Sequence, residues 1–500
     1  MSIKTKNIIY VLLIFVVFGI SYFVSCYSTF YNISFLNYDS TAFYLIGKGI
    51  KYGYIPYINL ADHKGIYIFY VNFLGALISE NQYIGIFIVN FLINCLYVII
   101  TYNIILLFSN NKVIGIMSSL TSFVLASSYF FCQGGMKCET MLMPIILYVN
   151  FMCLQHLLDN QEKQFGYRKI YVLGIFIGIV LFTKANLCIC FLPIIIMCIL
   201  DILETKKYQL FINYLFIGLI GIIIGILPAI IYGLATNSIK EMLYYTFTMN
   251  FQYASDVYYK YGDLLRAIVN IITSFKWVLI FSLLGLFVSR ALVRNDKIFL
   301  FLTLSFVANI IVSFMSLRPY TYHAYPMLFN ILWFIFFIYK IFDIVVDKLY
   351  YSLHIKKINI LAVFMLMCIL ILITYMHKFS YNQNITQGYR QYLVNKKLEQ
   401  YYQKGEKILV IGAAIGAYNY FDVFPTTKYF CIPHTTQKFI EPMYDNLLES
   451  IKSGENDWVI TSFTPIMNRS KFPREASELL DNTYNYVDDI PLAPATIYKK

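Results

Sequence analysis

Two carboxylates, each in a short polar stretch between long apolar runs, are the groups in this chain best placed to do chemistry. Asp39 lies in Asn37-Tyr38-Asp39-Ser40-Thr41, a few residues beyond an apolar run that begins at Ile8. Glu139 ends the stretch Gln133-Gly134-Gly135-Met136-Lys137-Cys138-Glu139 and opens another apolar run. Between them, Asp62-His63-Lys64 puts an acid, a switchable base and a cation side by side. Lys184 is the charge in a tight turn, Thr183-Lys184-Ala185-Asn186. Later comes Arg318-Pro319-Tyr320-Thr321-Tyr322-His323-Ala324-Tyr325-Pro326. A carboxylate can take the proton of an attacking hydroxyl or amine. Arginine grips phosphate with two parallel hydrogen bonds, and tyrosine and histidine add donors. The set suits a phosphate-bearing lipid and an acceptor that needs a base. Each member also has a plainer reading. Asp39 can simply cap a helix over 40–52. Asp62-His63-Lys64 can be a solvated turn with a snorkelling lysine. Glu139 can be an acid favoured by a helix dipole. Position alone leaves both kinds of role open.

The elements that must hold these residues are membrane helices. Hydrophobic residues make up 59% of the sequence and charged ones 13%, and mean hydropathy is +0.63. A soluble chain needs roughly a quarter of its residues charged. Apolar runs predict about eleven spans, near 8–28, 83–108, 113–131, 140–158, 170–183, 187–203, 210–235, 271–289, 298–316, 326–345 and 358–376. About 20 apolar residues are needed to cross a bilayer. The first run follows Lys4 and Lys6 and reads as a retained signal anchor, since no small-x-small cleavage site follows it. Cations gather on alternate loops: Lys112, Arg168 and Lys169, Lys206 and Lys207, Arg290 and Arg294, Lys356 and Lys357. The positive-inside rule then puts the N-terminus in the cytoplasm of a plasma-membrane protein. Asp39, Asp62, Glu139, Lys184 and Arg318 fall together on the other side.

Ile66–Ile78 is short for a span and reads as an interfacial helix. From about residue 377 the chain turns polar. Lys407–Gly412 and Asp457–Thr461 read as strands, giving a membrane domain over 1–376 and a small extracytoplasmic α/β domain over 377–500. Gly412-Ala-Ala-Ile-Gly416 lacks the spacing of a dinucleotide fingerprint and reads as a strand-to-helix turn. The ten cysteines form no CxxC pair and read as small apolar residues. The net charge of +12 is largely explained by the cytoplasmic loops, so nucleic acid is not an expected partner.

Three motifs carry a resemblance. An acid follows the first span and precedes Gly53-Tyr-Ile-Pro56-Tyr57 and Asp62-His-Lys64-Gly65; a second acid, Glu139, opens the fourth span; Tyr322-His323-Ala-Tyr325 sits in a late loop. In this order they resemble the GT-C membrane glycosyltransferases of the dolichyl-phosphate-mannose protein mannosyltransferase-like group. That group includes aminoarabinose-transferase-like and other bacterial envelope enzymes. The chain departs from the group's pattern at Ser40, where an acid is usual, at Gly65, where proline is usual, and near Gly134, where many members carry arginine.

The resemblance implies inverting transfer of a sugar from a polyprenyl-phosphate donor to an envelope glycan, lipid or protein. Asp39 would be the general base. Lys64, Lys184, Arg318 and His323 would stabilise the donor phosphate, and Asp62, His63, Tyr322 and Tyr325 would touch acceptor or sugar. Glu139 would orient the acceptor or, with Asp39, hold a divalent cation. Competing classes are a transporter of lipid-linked sugars, which predicts inverted repeats and midplane charges, and an O-antigen-type ligase or polymerase.

Overall fold

The computed structural model describes residues 3–24, 38–80, 83–133, 135–159, 164–251, 261–353, 390–431, 437–462 and 471–500. Its principal helices are α1 (Ile3–Val24), α2 (Tyr38–Lys51), α3 (Ile66–Ile78), α4 (Ile84–Leu106) and α5 (Lys112–Ala126). They continue with α6 (Cys138–Leu158), α7 (Tyr167–Lys184), α8 (Leu192–Thr205) and α9 (Gln209–Ala235). Then come α10 (Tyr261–Leu292), α11 (Asp296–Phe314) and α12 (Leu328–Leu353). The chain ends on strands β1 (Ile408–Gly412), β2 (Trp458–Ser462), β3 (Asn485–Ile490) and β4 (Ala495–Lys499), with helices α13 (Gln437–Lys452) and α14 (Phe472–Thr483) among them.

The protein is a multi-pass membrane protein. Among the described residues, seven helical stretches are long and apolar enough to cross a bilayer, and α3 and α5 are shorter apolar helices. Helices cover ten of the expected spans, and the last, 358–376, lies outside the described residues. Contacts divide the chain into two compact units. The first comprises Met1–Ser25, Asn90–Pro228 and Tyr259–Ser380, and the second Cys26–Val89, Ala229–Tyr258 and Tyr381–Lys500.

In the first unit the stretch Tyr167–Thr205, although 39 residues long, is a hairpin and not one rod. Lys184 leaves the helical region (φ −156°, ψ 91°), and a 3₁₀ turn over Ala185–Phe191 reverses the chain. Polar side-chain pairs fix both ends of it against α6. Lys184 meets Glu139 at one end of α6, and Asp201 accepts from His156 Nε2 at 2.8 Å at the other. The tight turn expected at Lys184 is therefore present. α7 then packs closely on α9: a Cβ on Gly174 would strike the Gly218 carbonyl, and one on Gly221 the Tyr171 carbonyl. Small residues four apart allow such backbone approach, which drives helix association where no hydrophobic effect separates protein from lipid. Asn309 Nδ2 donates to Asn330 Oδ1 at 2.8 Å across α11 and α12, so two buried amides meet one another away from water.

In the second unit α2 and α3 run side by side in the same direction, with Phe43 beside Phe69 and Lys51 Nζ donating to the Ala76 carbonyl, and they meet most closely where Gly47 touches the backbone of Asn72 and Phe73. Any side chain at Gly47 would separate them. The sheet runs β1-β2-β4-β3, with β1 and β2 parallel and β4 antiparallel to both its neighbours. Strands β1 and β2 are buried over most of their length. Leu409, Ile411 and Val459 pack under Leu447 and Ile451 of α13 and Phe472 and Leu480 of α14. Both strands read from the sequence are present. Gly412, at φ +108° and against the Ser462 carbonyl, makes the strand-to-helix turn. The segment after it rests on α2 and the residues beyond: Lys48 is paired with Asp422, and Tyr54 stacks on Phe424 at 4.4 Å.

Candidate active site

The second unit holds one of two candidate clusters of ionisable groups. Asp39 lies in the first turn of α2, one step inside the cap position expected for it; helix ends shift by a residue or so with definition. Asp62 sits in the turn that feeds α3. That turn is held rigidly. Tyr57, at φ +70°, donates its hydroxyl to the Lys64 carbonyl at 2.8 Å and its N–H to the Leu60 carbonyl at 2.9 Å. Asp62 Oδ1 accepts the Lys64 N–H at 2.8 Å, the geometry of an Asx turn. Asn250 donates to the His63 carbonyl at 2.5 Å.

The Asp62 side chain is only 6% exposed. Burial pushes its carboxyl above the ordinary range and the Asp39 charge adds to that, while Lys64 opposes both. The Cys431 thiol lies 3.9 Å from Asp62 Oδ2, and its own ionisation is pushed up by burial and by Asp62. His63 Nδ1 is 3.7 Å from Asp62 Oδ1, and its Nε2 faces the Lys64 ammonium. The structure thus draws Asp39, Asp62, His63 and Lys64 together.

The first unit holds the other cluster. Glu139, 3% exposed, sits in the first turn of α6 and pairs with Lys184 at the last turn of α7. Each charge also complements its own helix dipole. Lys137 precedes the helix, its N–H donating to Thr140 Oγ1 at 2.8 Å, and it is 2% exposed. Its ammonium lies 4.8 Å from the centre of the Tyr322 ring, and that of Lys184 lies 5.7 Å from it. Tyr322 stacks on Tyr320 at 5.6 Å and meets the edge of His323 at 4.6 Å. His323 Nδ1 is 2.7 Å from Ser316 Oγ. Thr321 donates to the Phe130 carbonyl and receives Gln133 Nε2 at 3.2 Å, which ties the loop to the turn before α6. Tyr325 is 5% exposed with its edge against Phe131, and Arg318 is half-buried in the link entering the loop. Glu139, Lys184, Tyr322 and His323 therefore share one site. Among the described residues no group of three or more His, Cys, Asp or Glu side chains is arranged to hold a metal ion.

No protein-family model matches the sequence, and a search of curated proteins finds no relative. Solved structures do match. ArnT from Cupriavidus metallidurans in the apo state aligns over 99% of this chain and 98% of its own, with a TM-score of 0.58 at 10% identity. The chain has the ArnT fold. The same enzyme bound to undecaprenyl phosphate aligns over the same shares, with a TM-score of 0.54 at 11% identity. The ArnT likeness spans nearly the whole chain. It bears out, at the level of fold, the resemblance to GT-C membrane proteins read in the motifs.

Sequence reading did not single out Lys137, although it stands two residues before Glu139 in a stretch marked for chemistry. It also missed Cys431, which follows Asp62 by 369 residues. No local pattern joins two positions that far apart.

Proposed function

We propose that the chain is an inverting glycosyltransferase that moves a sugar from a polyprenyl-phosphate donor to an acceptor at the outer face of the plasma membrane. The observation that carries this reading is the pair of ammonium groups, Lys137 and Lys184, beside one tyrosine ring, with Glu139 paired to Lys184. Buried cations in excess of carboxylates fit the phosphate of a lipid donor. The ArnT of shared fold has been solved with undecaprenyl phosphate bound, which supports the same choice.

Asp39 takes the proton of the acceptor hydroxyl as its oxygen attacks the anomeric carbon. The bond from that carbon to the phosphate oxygen breaks on the opposite face, and the lipid phosphate leaves as an anion. Lysine and arginine donors in place beforehand stabilise the charge that develops. Lys137 joins Lys184, Arg318, His323 and Lys64 in that role. Asp62 and His63 hold the turn from which Lys64 projects, and Tyr322 orients the two ammonium groups. With the N-terminus cytoplasmic, the sites and the α/β domain over 377–500 face outward, where a flipped donor and the envelope acceptor meet.

The test is transfer of radiolabelled sugar from polyprenyl-phosphate donors in membranes carrying wild type or Asp39→Asn. General-base help is worth about 10²–10⁴-fold, so the variant should lose at least that much rate at normal protein level. Transfer by Asp39→Asn at the wild-type rate removes Asp39 as the base. No transfer by the wild type from any such donor removes the enzyme reading.

A further inference from the structure

One cation in the second unit plays no part in the mechanism above. Lys428 lies in the segment after β1, and its backbone carbonyl accepts the N–H of Ala61 at 3.0 Å, directly before Asp62. Its ammonium lies over two aromatic faces, 5.0 Å from the centre of Tyr245 and 5.6 Å from that of Tyr429. Those hydroxyls are 3.2 Å apart. Tyr245 in turn stacks on Tyr57 at 5.9 Å, the residue whose hydroxyl fixes the Asp62–Lys64 turn. Among the described residues no carboxylate comes within ion-pair distance of Lys428; Glu241 acts on it only through space. Burial holds its ammonium below the ordinary lysine range.

A half-buried ammonium without a counter-ion is costly, and two tyrosine faces repay only part of that cost. The arrangement is complete only when an anion joins it. Aromatic faces flanking a cation also match the apolar face of a sugar ring that carries the anion. Neither the Glu139–Lys184 pair nor the Lys48–Asp422 pair has this character, because each cation there already meets a carboxylate.

We propose that Lys428, Tyr245 and Tyr429 form a subsite for an anionic saccharide, bearing phosphate or carboxylate, beside the Asp62–Lys64 turn. The occupant is the acceptor, an assignment that rests on the transfer reading; the binding of an anionic sugar does not. The segment carrying Lys428 thereby gives the C-terminal part of the chain a role in choosing what is glycosylated.

The experiment uses the full-length protein in nanodiscs and ligand-observed saturation-transfer NMR, with glucose 6-phosphate and glucose as probes. A charge-assisted hydrogen bond predicts that wild type prefers the phosphorylated sugar by about tenfold. Lys428→Gln should abolish that preference and Lys428→Arg should keep it, while Tyr429→Leu should weaken both sugars. Excess undecaprenyl phosphate should leave the glucose 6-phosphate signal unchanged. Three results would overturn the proposal: no preference in wild type, a preference that survives in folded Lys428→Gln, or displacement by undecaprenyl phosphate, which would make this the donor's phosphate site. If Lys428→Gln does not fold, the wild-type and Tyr429→Leu measurements still decide. Sugar transfer is not measured, so loss of the glycosyltransferase reading would register separately.

Discussion

Asp62 and Glu139 are both buried carboxylates at the entrance of an apolar helix, yet their surroundings are opposite in sign. Around Asp62 the acids are in excess. Asp39 adds a second carboxylate, and Lys64 is the cation set against both. Around Glu139 the cations are in excess, since Lys184 pairs with it directly and Lys137 stands two residues before it, at the Tyr322 ring. A surplus of carboxylate raises proton affinity, as a base for a hydroxyl needs. A surplus of ammonium suits a group that arrives negative and leaves more so. On the proposed reading the same functional group, a carboxylate, would belong to proton transfer in one cluster and to charge stabilisation in the other.

The comparison can be broken most severely at Glu139. Glu139→Gln leaves the Lys184 ammonium buried without its partner, and unpairing such a group costs on the order of 3 kcal/mol. Thermal unfolding in detergent should show a large loss of stability, with much of it regained in Glu139→Gln combined with Lys184→Met. A next, smaller effect is expected from Lys137→Met. It removes one ammonium from the Tyr322 ring and leaves the Glu139–Lys184 pair in place, so KM for the polyprenyl-phosphate donor should rise about tenfold, one charge-assisted contact, with little change in KM for acceptor. An equal rise in both would place Lys137 outside a donor site.

The smallest effect is expected at Asp62. Its carboxyl titrates above the ordinary value of 3.8, so the folded state holds the proton more tightly than the unfolded chain does. Stability is therefore lost as pH rises from near that value through the raised one. Asp62→Asn, whose amide oxygen can still accept the Lys64 N–H, should melt above wild type at pH 7 and level with it near pH 3.5. A melting point lower than wild type at pH 7 would show that the carboxylate charge stabilises the turn.

How much of this was legible in the residues follows from what constrains them. The helices were readable because hydrocarbon dictates both their length and their lack of charge, as in α4 and α9. The short α3 was readable for the converse reason, being too short to cross. Strands β1 and β2 announced themselves as apolar runs. The β3–β4 hairpin did not, because Asp488 and Asp489 interrupt β3 and its burial is partial. Within the site, Glu139 and Lys184 were found separately as charges beside apolar helices, but their pairing depends on the hairpin geometry of α7 and α8. Lys428 and Cys431 carried no signal, since only the folding of a distant segment onto α2 and its following turn brings them to Asp62.

The central claim is that Asp39 moves a proton while the Glu139 cluster serves the donor phosphate. It is tested most directly by measuring undecaprenyl-phosphate binding and single-turnover sugar transfer on the same preparation of Asp39→Asn. The account predicts wild-type binding of the lipid phosphate with transfer lost. Transfer at the wild-type rate, or lipid-phosphate binding lost together with transfer, would contradict it.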